Sequence, residues 1–335
     1  MKICVIGTGY VGLVTGTCFA DLGNTVHCVD TDAHKIKKLN YGSVPIFEPG
    51  LEEMVKKCYK DKRLIFTTDL KKSVSYSDII FVCVGTSSVK ETNSVNLKYV
   101  FKVVRDIRRY IKKFKIVIIK STIPVTSGDK VEKIINSKVR RKLFEVVSNP
   151  EFLREGEAIL DFKYPDRIII GTENKRVIKI LANLYDPIIK NGAIYFKTSR
   201  RSAELIKYAS NAFLATKISF MNELSNLCEK IGINTEDIAI GIGLDKRIGS
   251  RFLRIGPAYG GSCFPKDTRA LVTTGEKFKT NLSIVRSVIK SNENRRSLLT
   301  KRINEIMSNK LKNKIITFLG VTFKANTDDM RMSSV

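Results

Sequence analysis

The chain has no tryptophan and only two histidines, His27 and His34, among its 335 residues. Two imidazoles exclude a histidine-rich metal centre and leave little scope for a histidine-based catalytic triad. Seven cysteines, an odd number without a C-x-x-C pair, favour a reducing compartment over a disulfide framework. No apolar run approaches the roughly 18 residues that cross a bilayer, and a strand pattern beginning at Lys2 leaves no room for a signal peptide. We therefore expect a cytoplasmic protein with no membrane span and no metal.

Positive charge departs furthest from ordinary globular composition. Lys and Arg number 59 against 33 Asp and Glu, which gives a net charge of +26. Such a balance is typical of proteins that bind nucleic acids. The basic residues are, however, spread along the whole chain and form no block interleaved with aromatic residues. We interpret the charge as solvated surface charge and expect no nucleic-acid partner, with a polyanion-binding face as the alternative.

Apolar runs of strand length alternate with helical patterns through the first half of the chain. The length suggests about two domains. Strands are predicted at 2–6, 25–29, 64–67, 79–84, 116–119, 145–148 and 167–170. Helices are predicted at 11–22, 32–39, 50–59, 96–112 and 126–137. This alternation predicts the α/β class, with a doubly wound, mostly parallel sheet of Rossmann type.

The pattern changes after residue 198. Apolar residues recur at three- and four-residue steps over 201–231, which predicts one long helix that is either a spine between domains or an oligomer interface. Shorter helices are predicted at 235–241, 267–279 and 282–308. A late strand at 315–320 indicates the start of a second α/β domain. The predicted domains are 1–198, 199–308 and 309–335, the central one being helical.

A G-x-G-x-x-G motif is formed by Gly7, Gly9 and Gly12. It follows a strand and opens a helix, and the next strand ends at Asp30, eighteen residues after Gly12. The glycines permit a tight turn and close approach of a pyrophosphate to the helix N-terminus. An aspartate here hydrogen-bonds a ribose 2′-hydroxyl and repels a 2′-phosphate, so NAD is favoured over NADP. The alternative is a Rossmann-type fold without a cofactor.

A second motif, GGSCFPKD, runs from Gly260 to Asp267. Its glycines allow close approach of a ligand to the backbone. A helix N-terminus or the ammonium of Lys266 would stabilise the thiolate of Cys263. The pattern favours a nucleophilic or redox cysteine, and a buried structural cysteine is the alternative.

Two further groups of polar residues have spacings of interest. Lys207 and Asn211 are four residues apart and project from one face of the long helix. Glu151 and Glu155 follow a predicted strand, where ligands of open α/β sheets bind. Solvent-facing helix surfaces are the alternative for both pairs.

Eight ordered motifs carry a resemblance to a known family. They are GTGYVG at 7–12, STIP at 121–124, SNPEFLREG at 148–156, DFKYPDR at 161–167, ELIKYASNAFLATKISFMNE at 204–223, RIG at 247–249, YGGSCFPKD at 259–267 and FKANTDDMR at 323–331. With these motifs the chain resembles the UDP-glucose/GDP-mannose dehydrogenase family from Met1 to its last residues. The resemblance implies oxidation of UDP-glucose by two NAD⁺ and water to UDP-glucuronate, a nucleotide sugar used for polysaccharides.

The resemblance also implies a role for each matching residue. The catalytic set is Cys263 as nucleophile, Lys207 and Asn211 at the developing oxyanion, Asp267 and Glu155 for protons and water, and Thr122 for holding that water. The NAD contacts are Gly7, Gly9, Val11, Gly12, Asp30, Lys35, Thr86, Thr122, Glu155, Lys266 and Arg331. The substrate contacts are Glu151, Phe152, Leu153, Arg154, Glu155, Lys207, Asn211, Arg247, Phe252, Leu253, Arg254, Ile255, Gly256, Gly260 and Lys324. Arg247 is expected to reach a neighbouring subunit, which implies a homodimer through the long helix.

Two other functions remain open at this point. GDP-mannose is the nearest rival substrate, while GGSCFPKD disfavours relatives that act on N-acetylmannosamine sugars. The sequence stops soon after 315–320, where the family carries a third domain that helps to hold UDP. We therefore also consider a truncated, catalytically impaired remnant that still binds NAD.

Overall fold

The computed structural model describes residues 1–87, 94–136 and 143–334. The described residues form two compact units: the first ends at Lys207, and the second comprises Ser94 and the described residues from Tyr208 onwards. Helices and strands alternate in the first unit, and helices predominate in the second. Among the helices of the described ranges, none is long and apolar enough to cross a membrane.

One eight-stranded sheet forms the centre of the first unit. Its strands are Lys2–Ile6 (β1), Thr25–Val29 (β2), Leu64–Thr67 (β3), Ile79–Val82 (β4), Lys115–Ile119 (β5), Phe144–Ser148 (β6), Arg167–Gly171 (β7) and Ile194–Thr198 (β8). They lie in the order β3-β2-β1-β4-β5-β6-β7-β8. Within the described sheet, β6 and β7 form the antiparallel pair and the other neighbours are parallel. The predicted doubly wound, mostly parallel sheet is confirmed.

Helices cover both faces of this sheet. They are Tyr10–Asp21 (α1), Ala33–Asn40 (α2), Leu51–Lys60 (α3), Leu70–Tyr76 (α4), Lys98–Tyr110 (α5), Ser127–Asn136 (α6), Ala158–Lys163 (α7), Lys175–Leu184 (α8) and Asp186–Lys190 (α9). Along β1, Ile3 and Val5 join one hydrophobic cluster, and Cys4 and Ile6 join another. Side chains alternate between the faces of a strand, so both faces of the sheet are buried. The predicted end of α6 at residue 137 lies outside the described residues.

The second unit contains the greater part of a long helix, Arg200–Ile231 (α10). It is followed by Thr235–Gly243 (α11), Phe264–Lys277 (α12) and Ser283–Ile306 (α13). The long helix predicted at 201–231 is therefore present. A small apolar cluster in this unit joins Ala215 of α10 to Tyr259 and to Val288 of α13.

Two strand predictions were wrong. The edge strand β8 was not predicted, although its sequence opens with the apolar run Ile194 to Phe196; Ile194 and Phe196 are exposed in the structure. Conversely, the structure has no strand at 315–320, where Ile315 is 94% and Leu319 is 97% exposed. A strand requires a partner for its backbone groups, and no strand of the described residues pairs with this apolar run.

Candidate active site

The glycine-rich loop joins β1 to the first turn of α1. Gly7 has φ +98, and a Cβ there would lie 2.8 Å from the Cys83 carbonyl oxygen. A Cβ on Gly12 would collide with the Gly7 carbonyl oxygen. Gly9 is the N-cap of α1 and has open space around its Cα. The loop therefore needs glycine for its own packing, and it leaves the N-terminus of α1 accessible to an anion such as a pyrophosphate.

Asp30 lies just beyond β2 and is bound to this loop. Its Oδ2 accepts hydrogen bonds from the Thr8 amide at 2.9 Å and the Thr8 hydroxyl at 2.7 Å. The Lys35 ammonium lies 3.2 Å from the same oxygen. Burial acts to raise the pKa of Asp30, but the hydrogen bonds from Thr8 and Asp32 and the charge of Lys35 hold it below its usual range. The Asp30 carboxylate is thus anionic beside the glycine-rich loop, as recognition of a ribose diol requires.

The loops after β4 and β5 lie side by side at the same edge of the sheet. They carry Thr86 and Thr122, both half-buried. The Ser121 hydroxyl donates to the Val84 carbonyl at 2.7 Å and so ties one loop to the other. The carboxyl ends of these parallel strands and of β1 therefore form one edge, the usual ligand edge of an open α/β sheet.

Glu151 and Lys207 form a buried ion pair. The Lys207 Nζ lies 3.1 Å from Glu151 Oε1, and both side chains are less than a tenth exposed. Glu151 Oε2 accepts the Leu153 amide at 2.7 Å. The Phe152 ring lies 5.2 Å from the Lys207 ammonium and 4.1 Å from the Arg167 guanidinium. Burial of Lys207 rejects the alternative of a solvent-facing helix surface, and the structure joins two predicted substrate contacts directly.

Lys120 is a buried cation that the sequence analysis missed. Its Nζ donates to Asn149 Oδ1 at 3.2 Å, and the Tyr185 hydroxyl donates to the same oxygen at 2.7 Å. Burial lowers the pKa of Lys120, while the nearby Glu151 carboxylate opposes that shift. A lysine directly before STIP, at the end of an apolar strand, was the available signal.

The remaining residues of the same loop are more accessible. Arg154 is exposed and binds Asp161, with Nη2 2.6 Å from Oδ1. Leu153 and Glu155 are half-buried. The structure therefore holds Arg154 against α7 and leaves Glu155 half-buried.

Cys263 is the N-cap of α12 and the exposed member of the seven cysteines. The helix begins three residues before its predicted start at 267, because Pro265 fits the first turn of a helix. Gly261 has φ +76, and a Cβ there would lie 2.9 Å from the Phe323 ring. A Cβ on Gly260 would collide with the Met332 carbonyl oxygen. The glycines before the cysteine therefore admit a later segment of the chain.

Asp267 is almost completely buried, at 1% exposure, in the first turn of α12. Asn211 Nδ2 donates to its Oδ2 at 2.7 Å, and Lys266 forms an ion pair with its other oxygen. Asn211 is buried as well. The structure thus joins three predicted site residues into one network and rejects the solvent-facing alternative for Asn211.

The other predicted contacts of the second unit are dispersed. Arg247 has an 89% exposed side chain and pairs with Asp245 at 2.6 Å. Arg331 forms two hydrogen bonds of 2.8 Å with Asp329. The loop over 252–256 buries Leu253, exposes Arg254 and Ile255, leaves Phe252 and Gly256 half-buried, and Lys324 is also half-buried. Arg247 and Arg331 are therefore held by aspartates of their own loops.

Comparison with known proteins follows the same division of the chain. Residues 1–189 match the NAD binding domain of the UDP-glucose/GDP-mannose dehydrogenase family, and residues 201–294 match its central domain. UDP-glucose 6-dehydrogenase of Rhizobium meliloti is 49% identical over 99% of this chain and 77% of its own length.

Solved structures show the same similarity. The UDP-glucose dehydrogenase of Pyrobaculum islandicum superimposes with a TM-score of 0.94 at 38% identity, over 99% of this chain and 77% of that one. A GDP-mannose dehydrogenase from Pseudomonas aeruginosa superimposes with a TM-score of 0.72 at 34% identity, over 100% of this chain and 77% of that one.

Proposed function

Because the chain belongs to the UDP-glucose/GDP-mannose dehydrogenase family, we propose that it oxidises UDP-glucose to UDP-glucuronate through a covalent intermediate on Cys263. The main support is the position of Cys263: it is exposed, it caps α12, and it follows two glycines. A helix N-terminus stabilises negative charge on such a sulfur. The catalytic set proposed with it is Lys207, Asn211, Asp267, Glu155 and Thr122.

The chemistry proceeds in two oxidations and a hydrolysis. Loss of a hydride from C6 and of the hydroxyl proton leaves an aldehyde. The Cys263 sulfur adds to its carbonyl carbon, and the oxygen takes up a proton, which gives a thiohemiacetal. Loss of a second hydride and a proton from this adduct gives a thioester. Water then attacks, the carbon–sulfur bond breaks, and the carboxylate and the thiol are released.

The polar residues divide the remaining work. Lys207 supplies positive charge to the oxygen that becomes anionic during addition, and Asn211 donates a hydrogen bond to it. Asp267 and Glu155 accept and return protons, and Thr122 holds the hydrolytic water. The Asn211–Asp267 hydrogen bond supports this division, since it keeps the amide oriented without rearrangement.

NAD is the proposed hydride acceptor, held at the glycine-rich loop. The close packing of Gly7 and Gly12 and the N-terminus of α1 fit a pyrophosphate. The anionic Asp30 favours a free ribose diol over a 2′-phosphate. Lys35, Val11 and Thr86 are proposed as neighbouring contacts on the same edge.

Further proposals concern the context of the enzyme. We propose a domain division at 198 and 308, a cytoplasmic location and a homodimer through α10. We also propose the remaining substrate and cofactor contacts in the second unit, among them Arg247, Lys324 and Arg331. GDP-mannose is the second candidate substrate, because a GDP-mannose dehydrogenase shares this fold at 34% identity.

The decisive experiment is an NADH assay on the purified 335-residue chain. With NAD⁺ and UDP-glucose, we expect two NADH for each sugar nucleotide consumed and far slower reduction with GDP-mannose. One NADH per sugar would contradict the double oxidation. Tight NADH binding without turnover on either sugar would favour a catalytically impaired form.

A further inference from the structure

Glu48 is a buried carboxylate that the proposed chemistry does not use. It lies in the connection between α2 and α3 and is 6% exposed. Its Oε1 accepts the amide hydrogen of Ala158 at 2.8 Å and that of Ile159 at 3.4 Å. Its Oε2 accepts the amide hydrogen of Gly156 at 2.7 Å. One carboxylate therefore caps the start of α7 and holds Gly156, in the loop that follows β6.

Tyr10 joins the same carboxylate from the glycine-rich loop. Its hydroxyl donates to Glu48 Oε2, and its oxygen accepts the Gly156 amide hydrogen at 2.8 Å. Burial raises the pKa of the Tyr10 phenol, and the Glu48 and Glu155 carboxylates raise it further. The phenol therefore keeps its proton and acts as a donor to Glu48.

We propose that Tyr10 and Glu48 are positioning residues that fix Glu155 relative to the glycine-rich loop. This proposal rests on the proposed function, in which Glu155 handles protons and contacts both ligands. Gly156 has φ +82, directly after Glu155, so the path of the chain turns at the point that Tyr10 and Glu48 hold. Because Tyr10 belongs to the G-x-G-x-x-G segment, occupancy of that segment by a dinucleotide is coupled to the order of the Glu155 loop.

The chemistry of the contacts predicts graded effects of two conservative substitutions. Tyr10→Phe keeps the ring and removes one donor and one acceptor, while Gly156 retains its bond to Glu48. Glu48→Gln replaces one accepting oxygen by an NH₂ group, so in either orientation of the amide a donor faces the amide hydrogen of Gly156 or of Ala158. A displacement of about 1 Å at a reacting group costs roughly a hundredfold in rate.

The test begins with turnover of the full 335-residue chain on NAD⁺ and UDP-glucose. We expect kcat/KM for the sugar nucleotide to fall about three- to tenfold in Tyr10→Phe and about ten- to a hundredfold in Glu48→Gln. The NADH dissociation constant should rise by about three- to tenfold in both variants, because coupling between dinucleotide binding and loop order is reciprocal. The double variant should be no slower than Glu48→Gln, since Tyr10 acts through Glu48.

Two matched controls come from the same unit. Tyr195→Phe removes a hydroxyl that donates to the Ile178 carbonyl at 2.8 Å. Glu145→Gln alters a buried carboxylate that binds Thr172 and Asn174. Both should keep kcat/KM within about twofold of the parent. If kcat/KM fell equally in the control variants, the losses in Tyr10→Phe and Glu48→Gln would reflect general destabilisation. That result would overturn the proposal.

Amide hydrogen exchange provides a measurement that does not depend on turnover. NADH should slow amide exchange over 156–159 in the parent. The ratio of the exchange rates without and with NADH should be at least tenfold smaller in Tyr10→Phe and in Glu48→Gln. Unchanged exchange in both variants, or kcat/KM within twofold of an active parent, overturns the proposal. If the parent reduces no NAD⁺ on either sugar, the proposed function fails, while the exchange result still decides whether the two residues couple the loops.

Discussion

Lys207 shows how burial constrains a single charged residue. Its ammonium and the Glu151 carboxylate are both less than a tenth exposed and 3.1 Å apart. Removing one partner of such a pair leaves an uncompensated buried charge and costs about 3–5 kcal/mol. Loss of activity on changing either residue therefore combines a chemical effect with a folding effect. The Cys263 thiol, which is exposed, permits a cleaner test.

Cys263→Ser should abolish steady NADH formation and leave the NADH dissociation constant within about twofold. A serine hydroxyl is ionised far less than a thiol, so it does not form the covalent adduct efficiently. Iodoacetamide should add one carboxamidomethyl group to the folded parent and none to the variant, because the other six cysteines are buried. Both outcomes are read by absorbance at 340 nm and by intact mass.

Cys228→Ser is the control, since it removes a buried thiol from α10. It should retain turnover and the single adduct. Turnover of Cys263→Ser at the parental rate would show that another group is the nucleophile.

Most helices and strands were predicted correctly, because the apolar pattern that indicates them lies within one short segment of sequence. The strands β1, β2 and β4 to β7 are short, mostly buried apolar runs, and the edge strand β3 alternates buried with half-buried residues, so apolar runs of strand length locate them. The edge strand β8 carries a similar run, Ile194 to Phe196, and was overlooked. The ties between elements were also missed, because Glu48 meets Gly156 across 108 positions of sequence and Lys120 meets Asn149 across 29. Spacing indicates which residues share a helix face, not which distant amide a carboxylate will bind.

Glu204 links three elements and should make stability depend on pH. It lies on α10 and accepts the amides of Thr126 at 2.8 Å and Gly128 at 2.9 Å, at the start of α6, and the Ser148 hydroxyl of β6 at 3.1 Å. Burial outweighs these bonds and raises the pKa of Glu204 to about 7, from 4.5. The folded state therefore binds this proton more tightly than the unfolded state.

The sign of the pH effect follows from that difference. The contribution of Glu204 to stability is full below pH 4.5 and is lost as the pH rises through about 7, with a span of about 3 kcal/mol. Glu204→Gln should remove this slope from the free energy of unfolding, measured by urea titration between pH 4.5 and 8. A variant-minus-parent difference that stays constant across this range would contradict the assignment.

His27 supplies an internal control of opposite sign. Burial, with the charge of Lys72, lowers the pKa of His27 below 6.5, so its contribution is present above that pH and is lost on acidification. His27→Gln should therefore change the slope in the direction opposite to Glu204→Gln. The opposite signs distinguish the contribution of Glu204 from that of His27 in one series of unfolding measurements across pH.

At the scale of the whole molecule, the motifs predicted the family and the main residues of both networks. Asn211, Lys266 and Asp267 were predicted and do meet. Arg247 and Arg331 were predicted too, but each pairs with an aspartate two positions away. Their proposed roles depend on contacts with a ligand or a second subunit. The spacing of residues in one sequence does not reveal such contacts.

Self-association is the prediction that belongs to the whole molecule. Phe213, Phe220 and Leu227 recur every seventh residue of α10 and are 67%, 53% and 53% exposed. Seven residues make about two turns, so these side chains form one apolar stripe along the helix. A stripe of this kind is typical of a protein interface. Phe220→Glu should convert a dimer into a monomer, measured by light scattering after size-exclusion chromatography.

Tyr99→Glu is the matched control for that substitution. Tyr99 is an aromatic residue on α5, 57% exposed, and the change introduces the same charge. Its mass in solution should equal that of the parent. If the parent is monomeric at about 10 µM, or if Phe220→Glu remains a dimer, the stripe on α10 is not the interface. A dimer lost in both variants would instead point to disturbed folding, since an added negative charge lowers the net charge of +26 and so weakens the repulsion between two copies.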